Sequence, residues 1–303
     1  MKRIFALLLL LATGLGLVSC ALAPKEAEPT VPETTAVEET VADPTASATE
    51  ASAPEPIVLK IVSLNTQNAG YDRSGETTLT VKYQKLAAAI DAKTPDLVFL
   101  QECNTVAAAD GIRQQMADGS NYATVSGRNA STMILYNTEV FTSVSQGCEQ
   151  IGAKDDENGS KYDRYMVWAR LRHKESGAQI VVVPVHVDYV TAACKAQINF
   201  IVDYLKTNFP QIPFILGGDF NLEMNTISKT ALTTEGYLDV GTSAAEKVNG
   251  DAATFPEKNI VIDFVWYKSG LIYRATATKY EVIADTLPTD HRPLFAEITI
   301  AKQ

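Results

Sequence analysis

The sequence predicts an α/β (α+β) fold in which two stacked β-sheets carry helices on their outer faces. Predicted strands outnumber predicted helices, and several, such as residues 96–100 and 212–216, are apolar runs typical of strands buried on both faces. Residues 79–90 and 192–209 instead repeat apolar side chains at helical spacing. Since sheets buried on both faces need cover outside, these two helices are expected there.

The N-terminal region is expected to lie outside the folded domain. Residues 1–19 have a positive start and an apolar run too short for a spanning helix, which is typical of a signal peptide. The run ends in Leu17-Val18-Ser19-Cys20, which resembles the lipobox at which bacterial lipoprotein signals are cut and the cysteine is lipidated. We therefore expect Cys20 to anchor the protein to the membrane at the bacterial cell surface. An ordinary secretory signal with a chance cysteine is the alternative.

Residues 20–56 are expected to be a disordered tether, since they are rich in Ala, Thr, Pro and Glu and have no apolar periodicity. The tether holds much of the formal net charge of −10, so residues 57–303 are only mildly acidic. They contain no run of Lys and Arg of the kind that marks a nucleic-acid groove. Their length suits one large domain, which we expect to be a monomer.

Three cysteines follow Cys20, namely Cys103, Cys148 and Cys194. An odd number outside the cell allows one disulfide and one free thiol. Cys103 follows a predicted strand and is expected to be buried, which leaves Cys148 and Cys194 as the candidate pair. No Cys-x-x-Cys spacing occurs, so a cysteine zinc site is not expected.

The first two predicted strands both end in oxygen-bearing side chains. Residues 57–64 form a β-branched run that ends at Asn65. After the helix over residues 79–90, the strand over residues 96–100 leads to Gln101 and Glu102. Amide and carboxylate oxygens are ligands suited to magnesium or calcium. A solvated strand end is the alternative interpretation of Glu102.

The middle of the chain predicts a helix over residues 104–116, a short strand over residues 122–125, and two hairpins. The hairpins pair Met133–Tyr136 with Phe141–Val144, assigned to a second sheet, and Tyr165–Arg172 with Gln179–Val187. The last of these strands ends at His186, two residues before Asp188.

The long helix over residues 192–209 leads into the apolar strand 212–216, which two glycines end. The glycines allow a tight turn that presents Asp219 and Asn221 at the carboxyl end of the strand. A buried carboxylate there is costly unless it is paired, metal-bound or hydrated. A plain Gly-Gly-Asp turn is the structural alternative.

The C-terminal part adds a carboxylate and a histidine. Residues 260–266 read as a strand with Asp263 in its middle, either a device that solvates an edge strand or the partner of a buried group. A loop over residues 287–293 carries Asp290 and His291 and precedes the last strand, 294–300. Of the three histidines, His173 lies beside a turn and is most simply a surface residue.

The ordered set of polar strand ends resembles the endonuclease/exonuclease/phosphatase superfamily, the metal-dependent phosphodiesterase fold of pancreatic deoxyribonuclease, abasic-site endonucleases, sphingomyelinases and inositol polyphosphate phosphatases. The resemblance implies a four-layer α/β/β/α sandwich of two packed mixed sheets with outer helices. The pieces that match occur in the family's order, and they are Ser63-Leu64-Asn65, residues 95–102 ending in Gln-Glu, Val185-His186-Val187-Asp188, Gly218-Asp219-Phe220-Asn221, Ile262-Asp263-Phe264 and Thr289-Asp290-His291-Arg292-Pro293.

Carried over residue by residue, the resemblance implies that Glu102 binds a divalent metal, with Asn65 near it and Asp290 contributing. The expected ion is Mg²⁺, with Mn²⁺ or Ca²⁺ as substitutes, and it would neutralise the phosphate.

The resemblance also implies that Asp219 orients or deprotonates the attacking water and that Asn221 holds the nucleophile or a phosphate oxygen. His291 would sit against the phosphate, with its imidazole oriented by Asp263. His186 would donate to a phosphate oxygen or the leaving group. Which group is the base and which the acid stays open.

Two positions depart from the family pattern and remove positive charge near the site. Arginine is common two residues before the strand aspartate and near the start of the helix after His-x-Asp, where this chain has Val261 and Cys194-Lys195. The remaining candidates for substrate contact are Arg128, Lys161, Arg164 and Asp188. Ordinary solvated loop charges are the alternative for the basic three.

The sequence therefore predicts a metal-dependent phosphoester hydrolase on the outer cell surface that cleaves a small or lipid-linked phosphate ester. An extracellular nuclease of the same fold is the first alternative. The second is a binding protein that has lost catalysis, which the complete set of polar residues disfavours. Mild acidity argues slightly against tight DNA binding.

Overall fold

The structure, a computed structural model, describes residues 55–71 and 78–303 of the 303-residue chain. The expected signal peptide (1–19), the lipidation site Cys20 and all but the last two residues of the tether (20–56) lie outside the described residues. Among the helices that the structure describes, none has the length and apolar character needed to cross a membrane.

Thirteen strands and six α-helices are present in the described residues. The strands are β1 (Ile57–Asn65), β2 (Leu97–Gln101), β3 (Tyr122–Val125), β4 (Thr132–Asn137), β5 (Phe141–Gly152), β6 (Arg164–His173), β7 (Gln179–His186), β8 (Phe214–Asp219), β9 (Leu238–Asp239), β10 (Glu246–Val248), β11 (Asp263–Lys268), β12 (Tyr273–Val282) and β13 (Leu294–Lys302). The helices are α1 (Leu79–Asp91), α2 (Val106–Arg113), α3 (Thr191–Asn208), α4 (Met224–Ile227), α5 (Ala231–Thr234) and α6 (Val240–Ser243).

The strands form two mixed sheets. The first has seven strands in the order β10-β12-β13-β1-β2-β4-β3, and the second has six in the order β5-β6-β7-β8-β11-β9. Most neighbours are antiparallel; the short edge strand β10 pairs in parallel with β12, and β1 with β2 and β7 with β8 form two parallel pairs inside the sheets. These two parallel pairs are central because polar side chains follow the carboxyl ends of their strands.

Alternate residues of the central strands pack into different apolar layers. In β2, Leu97 and Phe99 face the cluster between the two sheets, whereas Val98 and Leu100 face the cluster beneath α1 and α2. A third cluster lies between the second sheet and α3. Each sheet is therefore covered on both faces, which is why its strands read as continuous apolar runs. The predicted class, two packed mixed sheets with outer helices, is confirmed.

The predicted hairpin of Met133–Tyr136 with Phe141–Val144 is wrong. β4 pairs with β2 and β3 in the first sheet, and β5 pairs with β6 in the second. Residues 138–140 carry the chain from one sheet to the other. Two apolar strands joined by a short turn look alike in sequence whether they pair with each other or cross between stacked sheets.

The candidate disulfide between Cys148 and Cys194 is also wrong, since both thiols are free, as is that of buried Cys103. Cys148 packs against the cluster between the sheets, and Cys194 lies in the cluster under α3. The second sheet separates these layers. Cys194 instead donates through its Sγ to the Phe220 carbonyl oxygen at 3.2 Å.

Asp263 opens β11 and does not lie in the middle of a strand, as the sequence had suggested. The chain before it is held by Thr254, whose Oγ1 accepts from the backbone N–H groups of Ile262 and Asp263 at 3.1 Å each. Asp263 therefore stands at the same edge of the second sheet as the ends of β7 and β8.

Candidate active site

Three neighbouring strands of the second sheet place three functional side chains in a row. His186 at the end of β7 is in register with Asp219 at the end of β8, and Asp219 is in register with Asp263 at the start of β11. In the first sheet, β1 and β2 end in register at Asn65 and Gln101, so Glu102 follows directly. Both sheets thus deliver polar groups to one end of the sandwich.

The two glycines before Asp219 are required by close neighbours. A Cβ on Gly217 would lie 2.8 Å from the Phe99 ring, across the space between the sheets. Gly218 has φ +152°, and a Cβ there would overlap the carbonyl oxygen of Val185 in β7. The backbone before Asp219 therefore lies so close to Phe99 and Val185 that a side chain at either glycine position would clash.

Replacing Gly218 by Ala is expected to lower the free energy of unfolding by about 2–4 kcal/mol, because the methyl group adds a clash to a strained φ. Gly236, with φ +77° and no neighbour within 4 Å of a built Cβ, is the matched control. Gly236→Ala should cost only about 1 kcal/mol from its backbone conformation. Denaturant unfolding measures both, and equal losses would contradict the steric argument.

Asp219 is a buried carboxylate held by hydrogen bonds on both oxygens. Asn65 Nδ2 donates to Oδ2 at 3.0 Å, and the backbone N–H of Asn221 donates to Oδ1 at 2.8 Å. Burial raises the pKa of Asp219 to about 7; the Asp263 carboxylate adds to the rise, while His291 opposes it. A carboxylate whose pKa lies near neutrality is suited to take a proton from water.

His291 and Asp263 form a buried ion pair beside it. His291 Nδ1 lies 2.8 Å from Asp263 Oδ2, and the Phe255 ring packs against the imidazole with its centroid 5.0 Å away. Burial acts to lower the pKa of His291, but Asp263, Asp219 and Asp290 outweigh it and raise the pKa to about 9. His291 is therefore an imidazolium at neutral pH. Its Nε2 lies 3.7 Å from Asp219 Oδ2.

His186 is the opposite case, a neutral imidazole. Its Nδ1 lies 3.0 Å from Arg164 Nη1, and because a guanidinium only donates, Nδ1 must accept and Nε2 must carry the proton. Burial, together with the positive charges of Arg164 and His291, lowers the pKa of His186 well below its usual value. The Nε2–H lies 3.8 Å from Asp219 Oδ2. The site therefore has a charged histidine, His291, on one side of Asp219 and a neutral histidine, His186, on the other.

Glu102 and Asp290 supply carboxylate oxygens at the same cavity. Glu102 has φ 51°, directly after β2, and among the described residues its carboxylate receives one long hydrogen bond, from Asn65 Nδ2 at 3.4 Å. Asp290 Oδ1 lies 4.0 Å from His291 Nε2. Two half-buried carboxylates at one cavity fit a hard divalent cation, and Asn65, whose Nδ2 donates to Glu102 and Asp219, would join them through its Oδ1.

A second group of possible ligands is Asp219, Asp263 and His291, whose ligand atoms lie within 4.8 Å of one another. Here the short contact between His291 Nδ1 and Asp263 already uses one ring nitrogen. A protonated imidazole has no lone pair for a metal. The chemistry of this group therefore favours proton handling over metal binding.

The loops around Asn65 are tied down by buried polar contacts. The backbone N–H of Gln67 donates to Asn65 Oδ1 at 3.0 Å, which fixes the amide. The buried ammonium of Lys82 on α1 donates to the carbonyl oxygens of Gln67, Asn68 and Tyr71 at 3.0–3.3 Å. Lys82 thus holds the loop that orients a metal-ligand candidate.

The structure brings some of the predicted substrate-contact residues to the cavity and not others. Arg164 lines the cavity, as does Asn221, whose Nδ2 donates to the Val187 carbonyl oxygen at 3.0 Å. Arg128 is exposed and is not among the lining residues, although Asn129 is.

Asp188 is fully buried, and its carboxylate accepts hydrogen bonds from other residues of the protein and does not line the cavity. It accepts from Ser160 Oγ at 3.1 Å and from the backbone N–H groups of Lys161, Tyr162 and Val190 at 2.8, 3.3 and 2.9 Å. The Asp188 side chain therefore joins two loops at the cavity mouth.

Sequence reasoning missed several residues that position the site. Ser131 Oγ lies 3.4 Å from His186 Nδ1, and Thr289 Oγ1 donates to the Asn65 carbonyl oxygen at 2.7 Å. Thr289 stands inside the Thr-Asp-His run, so its place in the motif was a usable signal. Ser131 and Phe255 come from segments with no pattern that separates them from ordinary loops.

The side chains surround a cavity of about 760 Å³. Its lining is mostly polar, and it includes Glu102, Asn104, Asn129, Ser131, Tyr162, Asp163, Arg164, His186, Tyr189, Asp219, Asn221, Phe255, Lys258, Ile260, Ile262, Asp290 and His291.

Comparisons with known proteins agree with this architecture. Residues 62–291 match the model of the Endonuclease/Exonuclease/phosphatase family. No curated protein matches the sequence significantly. Among solved structures, an endonuclease/exonuclease/phosphatase family protein from Bacteroides thetaiotaomicron aligns with a TM-score of 0.69 at 19% identity, over 81% of this chain and 99% of that one.

Two further similar structures have a named activity or a bound ligand. The B. thetaiotaomicron mannosyl-6-phosphatase aligns with a TM-score of 0.67 at 18% identity, over 79% of this chain and 99% of its own. The D. rerio TDP2 structure, complexed with a single-strand DNA product, aligns with a TM-score of 0.63 at 16% identity, over 80% and 98%. Identities this low show a shared fold. Because the family model spans most of the described chain, the protein belongs to the endonuclease/exonuclease/phosphatase family.

Proposed function

We propose that this protein hydrolyses a phosphate ester by metal-assisted attack of water, as a member of a family whose enzymes act on phosphoesters. The observation that carries the proposal is the arrangement around Asp219. A carboxylate with a pKa of about 7 lies between a neutral and a charged imidazole in a cavity that also holds three further carboxylates.

The protonation state of each residue determines its role in the reaction. Asp219 accepts the proton of the attacking water, since its pKa lies near the working pH. His291, kept charged by Asp263, stabilises negative charge that develops on the phosphate oxygens. His186, kept neutral by burial and by Arg164, donates its Nε2–H to a phosphate or leaving-group oxygen. Asn221 lines the cavity beside them and binds a phosphate oxygen.

Asn65, Glu102 and Asp290 would hold the divalent cation, which we propose to be Mg²⁺. When bound, the cation neutralises the phosphate and increases its reactivity toward water. Asn65 links this part of the site to Asp219, because its Nδ2 contacts both the Asp219 and the Glu102 carboxylates.

We propose a small phosphate ester as the substrate. The cavity lining contains four acidic side chains, Glu102, Asp163, Asp219 and Asp290, against Arg164, Lys258 and the charged His291. This balance favours a ligand with one phosphate over a polyanion. Two proteins of similar fold represent the alternatives, since one is a mannosyl-6-phosphatase and the other is a complex with a single-strand DNA product.

A hydrolysis panel with Mg²⁺ tests the proposal, with plasmid DNA, RNA, sphingomyelin, inositol phosphates and sugar phosphates as substrates. Turnover of a small phosphate ester that stops in the Asp219→Ala variant supports it. Preferential cleavage of DNA or RNA would make the protein a nuclease of the same fold. Absence of turnover on the whole panel would favour the binding protein.

We also propose that the protein is exported and lipid-anchored through Cys20. When the full chain is expressed in a bacterial host with a tagged fatty acid, the wild type is expected to carry the label and to sediment with membranes. Cys20→Ser should lose both, since it removes the thiol that is lipidated. Cys148→Ser is the matched control and should keep the label. Equal labelling of Cys20→Ser and the wild type would exclude the anchor.

A further inference from the structure

We propose that Tyr162 and Tyr189 form a subsite for the ring of a sugar phosphate at the mouth of the cavity. The inference rests on the proposed function and specifies its substrate class. Both tyrosines line the cavity, and each is 54% exposed, so both rings present surface to a ligand. Their ring centroids lie 6.2 Å apart with an interplanar angle of 68°.

The pair is continuous with the phosphate end of the site. The guanidinium carbon of Arg164 lies 5.1 Å from the Tyr162 ring centroid, and the same guanidinium bonds His186 Nδ1. The Arg164 side chain therefore lies between the Tyr162 ring and the His186 imidazole that faces Asp219. A ligand with its phosphate at His186 and Asp219 would extend its leaving group along Tyr162.

Asp188 holds the two tyrosines together. Its Oδ2 accepts from the backbone N–H of Tyr162, and its Oδ1 accepts from the N–H of Val190, the neighbour of Tyr189. The backbone N–H of Asp188 donates to Gln197 Oε1 on α3 at 2.8 Å. A fully buried carboxylate with this many donors is a rigid support. The aromatic pair is thus built into the fold through a buried residue.

The remaining lining indicates which ring is bound. Asn104, Asn129 and Asp163 offer amide and carboxylate groups in the same cavity, and these bind hydroxyl groups. A sugar ring combines C–H faces that pack on aromatic rings with hydroxyls at its edge. The two tyrosines meet at an angle, which forms a corner for a single non-planar ring and not a parallel slot for stacked bases.

The test compares a hexose 6-phosphate with glycerol 3-phosphate, a phosphomonoester without a ring, in the wild type, Tyr162→Ala and Tyr189→Ala. The ratio of kcat/KM for the hexose ester over the glycerol ester is expected to fall about tenfold in each variant, the loss of one ring-sized contact. The Tyr→Phe variants keep the ring and should keep the ratio. An unchanged ratio in both Ala variants would overturn the subsite.

A binding measurement separates this inference from the proposed function. Isothermal titration of hexose 6-phosphate into wild-type protein and Tyr162→Ala, with Mg²⁺ present, should show about a tenfold weaker Kd in the variant even if the wild type turns over no ester. Equal Kd values would overturn the subsite whatever the activity. If the Ala variants instead lose affinity for a single-stranded oligonucleotide and not for the sugar phosphate, the pair is a nucleic-acid surface and the inference fails.

Discussion

Asp219→Ala is expected to lower kcat for phosphoester hydrolysis by about a thousandfold while the fold remains intact. The substitution removes the group that takes the proton of water, and the carboxylates beside it in the site have other roles. Asp263 is committed to His291 at 2.8 Å, and Glu102 and Asp290 are the metal-ligand candidates. The measurement is steady-state hydrolysis with Mg²⁺ on the substrate that the panel identifies.

The free energy of unfolding of Asp219→Ala distinguishes a loss of catalysis from a loss of folded protein. Asp219 carries a raised pKa because burial disfavours its charge, so its removal relieves an unfavourable charge and should not unfold the protein. Asp239 is the matched control, another buried aspartate whose pKa burial also raises, but its Oδ2 caps α6. Asp239→Ala should lose some stability and keep kcat. Unchanged turnover in Asp219→Ala would refute the mechanism.

Chelation is expected to abolish hydrolysis, and added Mg²⁺ or Mn²⁺ should restore it, because a hard cation at Glu102 neutralises the phosphate. Glu102→Gln keeps the shape of the side chain and removes its charge. We expect it to raise the Mg²⁺ concentration for half-maximal activity by about 10–100-fold or more. Titration of Mg²⁺ by calorimetry on the same variant gives a readout that does not depend on turnover.

Glu235 is a suitable control for Glu102, since it forms a surface ion pair with Lys206 at 2.6 Å and does not line the cavity. Glu235→Gln should bind Mg²⁺ as the wild type does. Full activity in excess chelator would exclude the metal. If Glu102→Gln titrates like the wild type but an Asp263→Asn variant does not, the cation lies instead in the group formed by Asp219, Asp263 and His291.

Much of the layered fold was predictable because burial on both faces leaves a continuous apolar run in the sequence. Leu97 to Leu100 of β2 are fully buried, as the apolar composition of residues 96–100 predicted. The crossing at residues 138–140 was not predictable, since local pattern does not record which sheet a strand joins. The disulfide hypothesis failed for the same reason. Cys148 and Cys194 lie on opposite sides of a sheet that sequence spacing cannot reveal.

Sequence by itself determined which side chains stand at the strand ends, because the strand, the Gly-Gly turn and the Asp that follows are local chemistry. Only the tertiary structure decided what each does. His186 is neutral because it is buried and because Arg164, 22 residues earlier, donates to its Nδ1, whereas His291 is charged because Asp263 lies 2.8 Å away. Protonation depends on burial and on the charges within a few ångströms. Those neighbours come from different strands, and folding alone brings them together.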